Sequence, residues 1–205
     1  MDEPHCSEGQ MICSWMEEQI MPGTLIKRVD YPGGRRFEVV IYDLLHESTD
    51  AIVNAANSGL SHGGGVAAAI SHAAGRELDE AGDRLVEEHG RVPVGGAVVT
   101  TAGKLPFKGV IHAVGPRMGD GDEEEMIVKA LWSSFLRAHE RGWTSVSFPG
   151  VSSGIFSVSH DICARGYLRS VEKFYSDFPD SPVTLLRLVL FEGPLLEAVK
   201  KVLPA

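Results

Sequence analysis

The sequence predicts an α/β fold whose mostly parallel sheet carries helices on both faces. Short apolar runs of strand length alternate with longer helical patterns, and the loops leaving the runs are rich in Gly, Ser and Pro. No internal repeat, low-complexity tract or linker breaks the alternation. Strands separated by helices need crossover connections, and crossovers make a parallel sheet.

Composition bounds the class. The 205 residues suit one domain with a two-sided core. Apolar residues make up 43% and charged residues 23%, so a compact fold is expected rather than disorder. The 19 basic and 28 acidic residues give a formal charge of -9, which opposes non-specific attraction to nucleic acid or an anionic membrane. Any anionic ligand must be held locally. Cys6, Cys13 and Cys163 form neither a CxxC pair nor a disulfide framework, and no His/Cys group has zinc-site spacing. That usage fits a reducing compartment, cytoplasmic or nuclear. No apolar run reaches the roughly 18 residues of a membrane span, and the acidic start MDEPHCSEGQ is unlike a signal peptide.

The elements follow in order. Residues 1–22 are polar and read as a leader, with helical spacing around 14–20, ahead of a domain over 23–205. Strand-like runs at 24–29 and 36–42 flank the turn signal YPGGR. Residues 51–55 form a strand, and 65–74 and 77–88 are helical. Two further strands, 97–101 and 110–114, are separated by the breakers KLPFKG. The clearest helix is 123–140, acidic at its start (Asp122, Glu123, Glu124, Glu125) and basic at its end (Arg137, His139, Arg141), with Gly142 after it. Ile127, Leu131, Phe135 and Ala138 give it one apolar face. A strand at 145–148, a helix at 159–174, a strand at 185–191 and a helix at 194–203 with Pro194 at its start complete the chain.

Ligands of such a fold bind beyond the carboxyl ends of the strands. Two loops there stand out. In AIVNAANSGLSHGGGVAAAI (51–70) a strand delivers Asn54 and Asn57, and His62, Gly63, Gly64 and Gly65 then precede a helix of small residues. Glycines let a ligand approach the backbone, and a helix N-terminus offers free N–H groups. A glycine-rich turn can equally be a tight connection. In PGVSSGIFSVS (149–159), Ser152, Ser153 and Gly154 can form a backbone nest for an anion. A loop of this composition is often only a loop. Two such loops on one sheet edge are better explained by a diphosphate between them, which reconciles an acidic protein with an anionic ligand. GxxxxGK[ST] and GxGxxG are both absent, and HAVGPR (112–117) reads as ordinary punctuation.

IVNAAN followed by GGGVAAAI, then GAVVTTAGKLPFKGVIHAVGPR, then FPGVSSGIF, in that order, resembles the macrodomain, an ADP-ribose-binding module. The resemblance runs from about residue 24 to 203 and is nearest to macrodomains within multidomain ADP-ribosyltransferases. It implies a three-layer α/β/α fold around a mixed, mostly parallel sheet, no cofactor and no metal. Its implied partners are ADP-ribose and mono-ADP-ribosylated proteins, and the chain length suggests a monomer. Asp43 then matches the adenine-recognising aspartate, although Tyr42, Asp43 and Leu44 replace the family's usual Gly-Asp-Ile. Phe191 matches the aromatic that stacks on adenine, and Asn57 the asparagine facing the distal ribose, with Asn54 structural. Leu44, Ala55, Gly64, Gly65, Val66, Ser152, Ser153, Gly154, Ile155 and Phe156 complete the implied ligand contacts.

The resemblance leaves open whether the module only binds or also cuts. One hydrolytic subgroup carries an aspartate after GGGV, where this chain has Ala67. Other members with alanine there still hydrolyse, which makes Asn57, His62, Gly65 and Phe156 the catalytic candidates. An amide is no general base, so Asn57 would orient water. The expected activity is hydrolysis of mono-ADP-ribosyl esters on Asp or Glu. A non-catalytic reader is the alternative, and an RNA-binding module is disfavoured by the charge of -9 and by the absence of a basic aromatic stripe.

Overall fold

A computed structural model describes residues 23–204. The expected leader and its short helix lie outside the described residues. The described residues form seven strands and five α-helices. They are β1 (Thr24–Tyr31), β2 (Arg35–Ile41), β3 (Ala51–Ala56), α1 (Gly65–Ala74), α2 (Arg76–His89), β4 (Ala97–Thr100), β5 (Gly109–Val114), α3 (Glu123–Glu140), β6 (Ser145–Phe148), α4 (His160–Asp177), β7 (Leu185–Leu190) and α5 (Pro194–Val202). The sheet order is β1-β2-β7-β6-β3-β5-β4. The five central strands are mutually parallel, and β1 and β4 run antiparallel at the edges. The sheet is therefore mixed and mostly parallel.

Strand alternation sends side chains to two unlike faces. Phe37, Val39, Ala51, Val53, Ile111, Ala113, Val146, Phe148, Leu186 and Leu188 face α3, α4 and α5 in one apolar core. The other face meets α1 and α2 through Val40, Ile52, Val110 and Val189, with Ile70, Ala74 and Leu78 opposite. Between these apolar contacts it buries one polar residue from each parallel strand: Glu38, Arg187, Ser147, Asn54 and His112. Glu38 and Ser147 are both in register with Arg187, and Asn54 is in register with His112.

This polar row is internally bonded. Arg187 donates to Glu38 at 2.6 Å and to Glu47 at 2.7 Å, and Ser147 donates to Glu47 at 2.9 Å. Burial still pushes the Glu47 carboxyl above its ordinary range, opposed by the Arg187 hydrogen bonds. Removing one partner of such a group costs about 3–5 kcal/mol, because a charge is left buried and unpaired.

The helix boundaries follow local chemistry. α3 ends in a Schellman turn, with Gly142 at φ +67, the Trp143 amide bonding Ala138 and the Gly142 amide bonding His139. Ser159 caps α4 from outside, and the helix runs to Asp177, three residues beyond the expected end. The added turn is held by tertiary contacts: Tyr175 donates to the Arg36 carbonyl at 3.0 Å, and Trp132 donates to Asp177 at 2.8 Å. No described helix is long and apolar enough to cross a membrane.

Candidate functional site

All five parallel strands end on the same edge of the sheet, which is where the sequence places its loops. A cavity of about 330 Å³ lies there. One wall is Asn57, Ser61, Gly63, Gly64 and the first turn of α1, namely Gly65, Val66 and Ala67. The opposite wall is Gly150, Val151, Ser152, Gly154, Ile155 and Phe156. Ala55, Ala56 and Gly115 lie between them, and Arg117 completes the lining. Among the described residues, no carboxylate lines the cavity.

The glycine wall is shaped by its backbone. Gly65 has φ +59, a conformation that side chains rarely adopt. Gly64 caps α1 without a side-chain hydrogen bond, so the first-turn amides border the cavity uncapped by any side chain. A β-carbon at Gly64 would stand 3.1 Å from Ile155 Cδ1, which reaches across from the other wall.

Asn57 organises the loop before these glycines. Its Oδ1 accepts from the Gly59 amide at 3.0 Å and the Ser61 amide at 3.3 Å. Its Nδ2 donates to the Ser61 carbonyl at 2.7 Å and to Ser61 Oγ at 3.0 Å. Behind the loop, His62 turns away from the cavity. Its Nδ1 lies 2.9 Å from Asp79 on α2, and Asp79 also accepts from Ser71 on α1 at 2.8 Å. The His62 ring packs 5.7 Å from that of His112.

His112 is held as a neutral ring. Asn54 Nδ2 donates to its Nδ1 at 3.1 Å, so its proton sits on Nε2 and is given to Thr100 Oγ1 at 2.7 Å. Burial, aided by the nearby His62, lowers its pKa to about 3. Asn54 is thus structural, a brace between β3 and the ring of β5.

The second wall is held from below. Tyr167 donates to the Val151 carbonyl at 2.6 Å, and the Met118 amide bonds the Phe156 carbonyl at 2.9 Å. Burial raises the Tyr167 hydroxyl well above its ordinary pKa, which keeps it a donor. Ser152 and Ser157 take positive φ values of 68° and 56° although neither is glycine. A β-carbon at Gly115 would collide with Ser152 Oγ, so the two loops close on each other only because Gly115 has none.

Of the residues named from the sequence, the structure brings Ala55, Asn57, Gly64, Gly65, Val66, Ser152, Gly154, Ile155 and Phe156 to the cavity wall. It does not bring Asp43, Leu44, His62, Ser153 or Phe191 there. Ser153 turns both its amide and its hydroxyl back to the Gly150 carbonyl, the latter at 2.7 Å. Leu44 is buried under the turn Leu44–His46. Asp43 caps that turn, accepting from the Leu45 amide at 3.0 Å, and lies 3.2 Å from His46 Nδ1. Asp43 and Phe191 are neighbours at the ends of β2 and β7, where the Tyr42 amide bonds the Leu190 carbonyl. They sit on the same sheet edge, outside the enclosed volume. Ser61, Gly115, Gly150 and Arg117 line the cavity without having been singled out. For Arg117 the available signal was a lone cation after a strand in HAVGPR.

Comparison with known proteins identifies the family. The Macro domain model matches residues 53–166. A Thermotoga maritima protein is 44% identical over 164 residues, covering 79% of this chain, while the chain spans 27% of that protein. An O-acetyl-ADP-ribose deacetylase of Escherichia fergusonii is 40% identical over 141 residues, 68% of this chain and 80% of that enzyme. Among solved structures, a variant macrodomain of Oceanobacillus iheyensis with ADP-ribose superposes with a TM-score of 0.78 at 29% identity, covering 85% of this chain and 95% of the other. With its sheet order, its two facing loops and this family match, the chain belongs to the macro domain family.

Proposed function

We propose that the chain binds ADP-ribose and hydrolyses mono-ADP-ribose esters on Asp and Glu side chains of modified proteins. The observation that carries the binding is the pairing of two backbone-rich walls across a cavity without a carboxylate. A diphosphate suits such a place: the first turn of α1 offers amides from one side and the β6–α4 loop offers more from the other. Hydrogen bonds to a charged group are worth about 1.5–3 kcal/mol each. The Ser152 hydroxyl, buried and without a partner among the described residues, is a further donor for a ligand oxygen.

Strand order supports the rest of the layout. Strands β2, β7, β6, β3 and β5 are successive neighbours. Four spacings of about 4.8 Å put the end of β2 roughly 19 Å from that of β5, room for an elongated ligand. Adenine lies at the β2 and β7 end. Phe191 is 73% exposed there, a free face for stacking worth about 0.5–1.5 kcal/mol beyond burial, and Asp43 accepts the adenine amino proton. The distal ribose reaches Asn57. Because the Ser61 carbonyl and hydroxyl both accept from Asn57 Nδ2, contact with the ribose competes with those bonds.

The deacetylase relative supports ester chemistry, since an acetyl ester and an Asp or Glu ester of ADP-ribose are both carboxylic esters of a ribose. Water adds to the ester carbonyl, the bond from carbonyl carbon to ribose oxygen breaks, and the ribose oxygen leaves protonated. Asn57 and the Gly65 amide orient the water, with Phe156 closing the site, and a substrate phosphate oxygen takes its proton and passes it to the departing ribose oxygen. His62 acts from behind, by holding the loop.

A reader without turnover is the second reading, favoured by Ala67 and by the lack of an acidic residue in the lining. Incubation with an acceptor carrying mono-ADP-ribose on Glu separates the two. Hydrolysis requires release of ADP-ribose that Asn57→Ala reduces; binding without release makes the chain a reader.

A further inference from the structure

Beside the ligand cavity, beyond Asn57, lies a second space of about 420 Å³, bordered by Ser58, Arg91, Val94, Val114 and Asp120. The two spaces share Asn57, Ser61, Gly115, Arg117 and Phe156 in their linings, so they adjoin past the end of β3.

The charge of this annex is unlike that of the whole protein. Two guanidinium groups face it, in a chain whose formal net charge is -9. Among the described residues neither Arg91 nor Arg117 has a carboxylate within ion-pair distance. Asp120, the single carboxylate of the annex, is engaged by the Arg117 backbone amide at 2.8 Å. The arginines are also positioned. The Arg117 guanidinium lies 5.0 Å above the Phe156 ring. Arg91 is held beside the loop by the bond from the Val92 amide to the Ser58 carbonyl at 2.9 Å. A β-carbon on Gly59 would stand 3.4 Å from Arg91 Nη2 and 3.5 Å from Asn57 Oδ1, so the guanidinium and the Asn57 amide flank one glycine.

We propose that this annex is the acceptor subsite, and that it selects an acidic segment of the modified protein, whose carboxylates pair with Arg91 and Arg117. The proposal rests on ADP-ribose occupying the cavity, because only then does the acceptor emerge at Asn57. Guanidinium groups suit carboxylates through paired N–H donors. Two partly exposed pairs support roughly tenfold selectivity, weakened by salt.

The test compares two peptides of equal length, each carrying mono-ADP-ribose on one Glu, with Asp/Glu flanks in one and Ser/Gln flanks in the other. Affinity is read by competition with labelled ADP-ribose, and initial release rates are read where release occurs. Wild type is expected to favour the acidic peptide roughly tenfold at low salt. Arg91→Gln, which lines only the annex, is expected to cut the preference to roughly threefold, the share of one exposed pair, while free ADP-ribose binds unchanged. Indifference of wild type to flank charge, with normal ADP-ribose binding, would overturn the acceptor subsite and leave the ADP-ribose reading standing. A single-stranded RNA that displaced the acidic peptide through Arg91 would overturn it in favour of nucleic acid. Absence of ADP-ribose binding would remove both.

Discussion

The two walls of the cavity reach the same end by opposite means. The wall before α1 makes room by lacking side chains, with Gly63, Gly64 and Gly65 in a row. It is steadied by side chains behind it, Asn57 on Ser61 and His62 on Asp79. The wall before α4 keeps its side chains, presenting Ile155 and Phe156, and is steadied through its carbonyls by Tyr167 and the Met118 amide. It also accepts left-handed serines, Ser152 and Ser157, at about 1–2 kcal/mol each. Changes in the first wall should therefore act on the ligand by shape, and changes in the second by moving the loop.

The largest expected effect is steric and belongs to the first wall. Gly64 has φ 171, extended backbone that valine tolerates, yet its β-carbon position borders Ile155. Gly64→Val should keep the fold and weaken ADP-ribose binding at least a hundredfold, about 2.7 kcal/mol, by calorimetry. A loss under threefold would mean that the cavity is not where the ligand lies.

The next effect concerns what supports that wall. His112 has a folded pKa of about 3, below the 6.5 of the free side chain, so its contribution to stability is complete above pH 6.5. It is lost as pH falls from 6.5 toward 3, because the unfolded chain takes up a proton that the folded ring refuses. Each pH unit in that window costs about 1.4 kcal/mol. Urea unfolding at pH 7 and pH 5 should show a steeper decline for wild type than for His112→Gln, and parallel declines would contradict a neutral buried ring.

On the second wall, Tyr167→Phe removes the donor to the buried Val151 carbonyl. The expected cost is about 1–3 kcal/mol of stability, with weaker ADP-ribose binding because the loop shifts. Stability loss with unchanged affinity would show that the loop is placed by Met118 and Gly115 instead. The smallest effect is a gain. Ser152→Gly relieves a left-handed serine and removes a buried, unpartnered hydroxyl, so the thermal midpoint should rise, by about 1 kcal/mol in stability terms.

The fold was legible because its signals are local. The acidic start and Gly142 stop of α3, Pro194 at the start of α5, and the YPGGR turn each act within a few residues, and the observed elements follow them closely. The loops at the sheet edge were legible for a related reason: either run of glycine and serine alone could be a plain connection, but two of them after strands that end on one edge point to a shared ligand. What the sequence hid depends on partners far along the chain. His62 is adjacent to the glycines but is drawn behind them by Asp79, a residue of α2. Arg187 interrupts an apolar strand and makes sense only beside Glu38 and Glu47. Arg117 looked like turn chemistry until the fold set it against Phe156. The added turn of α4 is likewise fixed by Trp132 on α3 rather than by any signal of its own.

The most direct test of the central reading is a calorimetric titration of the protein with ADP-ribose, alongside Gly64→Val under the same conditions. Micromolar binding, about -8 kcal/mol, that the variant loses while its unfolding midpoint stays unchanged is the expected result. A folded wild-type protein that gives no heat with ADP-ribose, or a variant that binds as well as wild type, would contradict it.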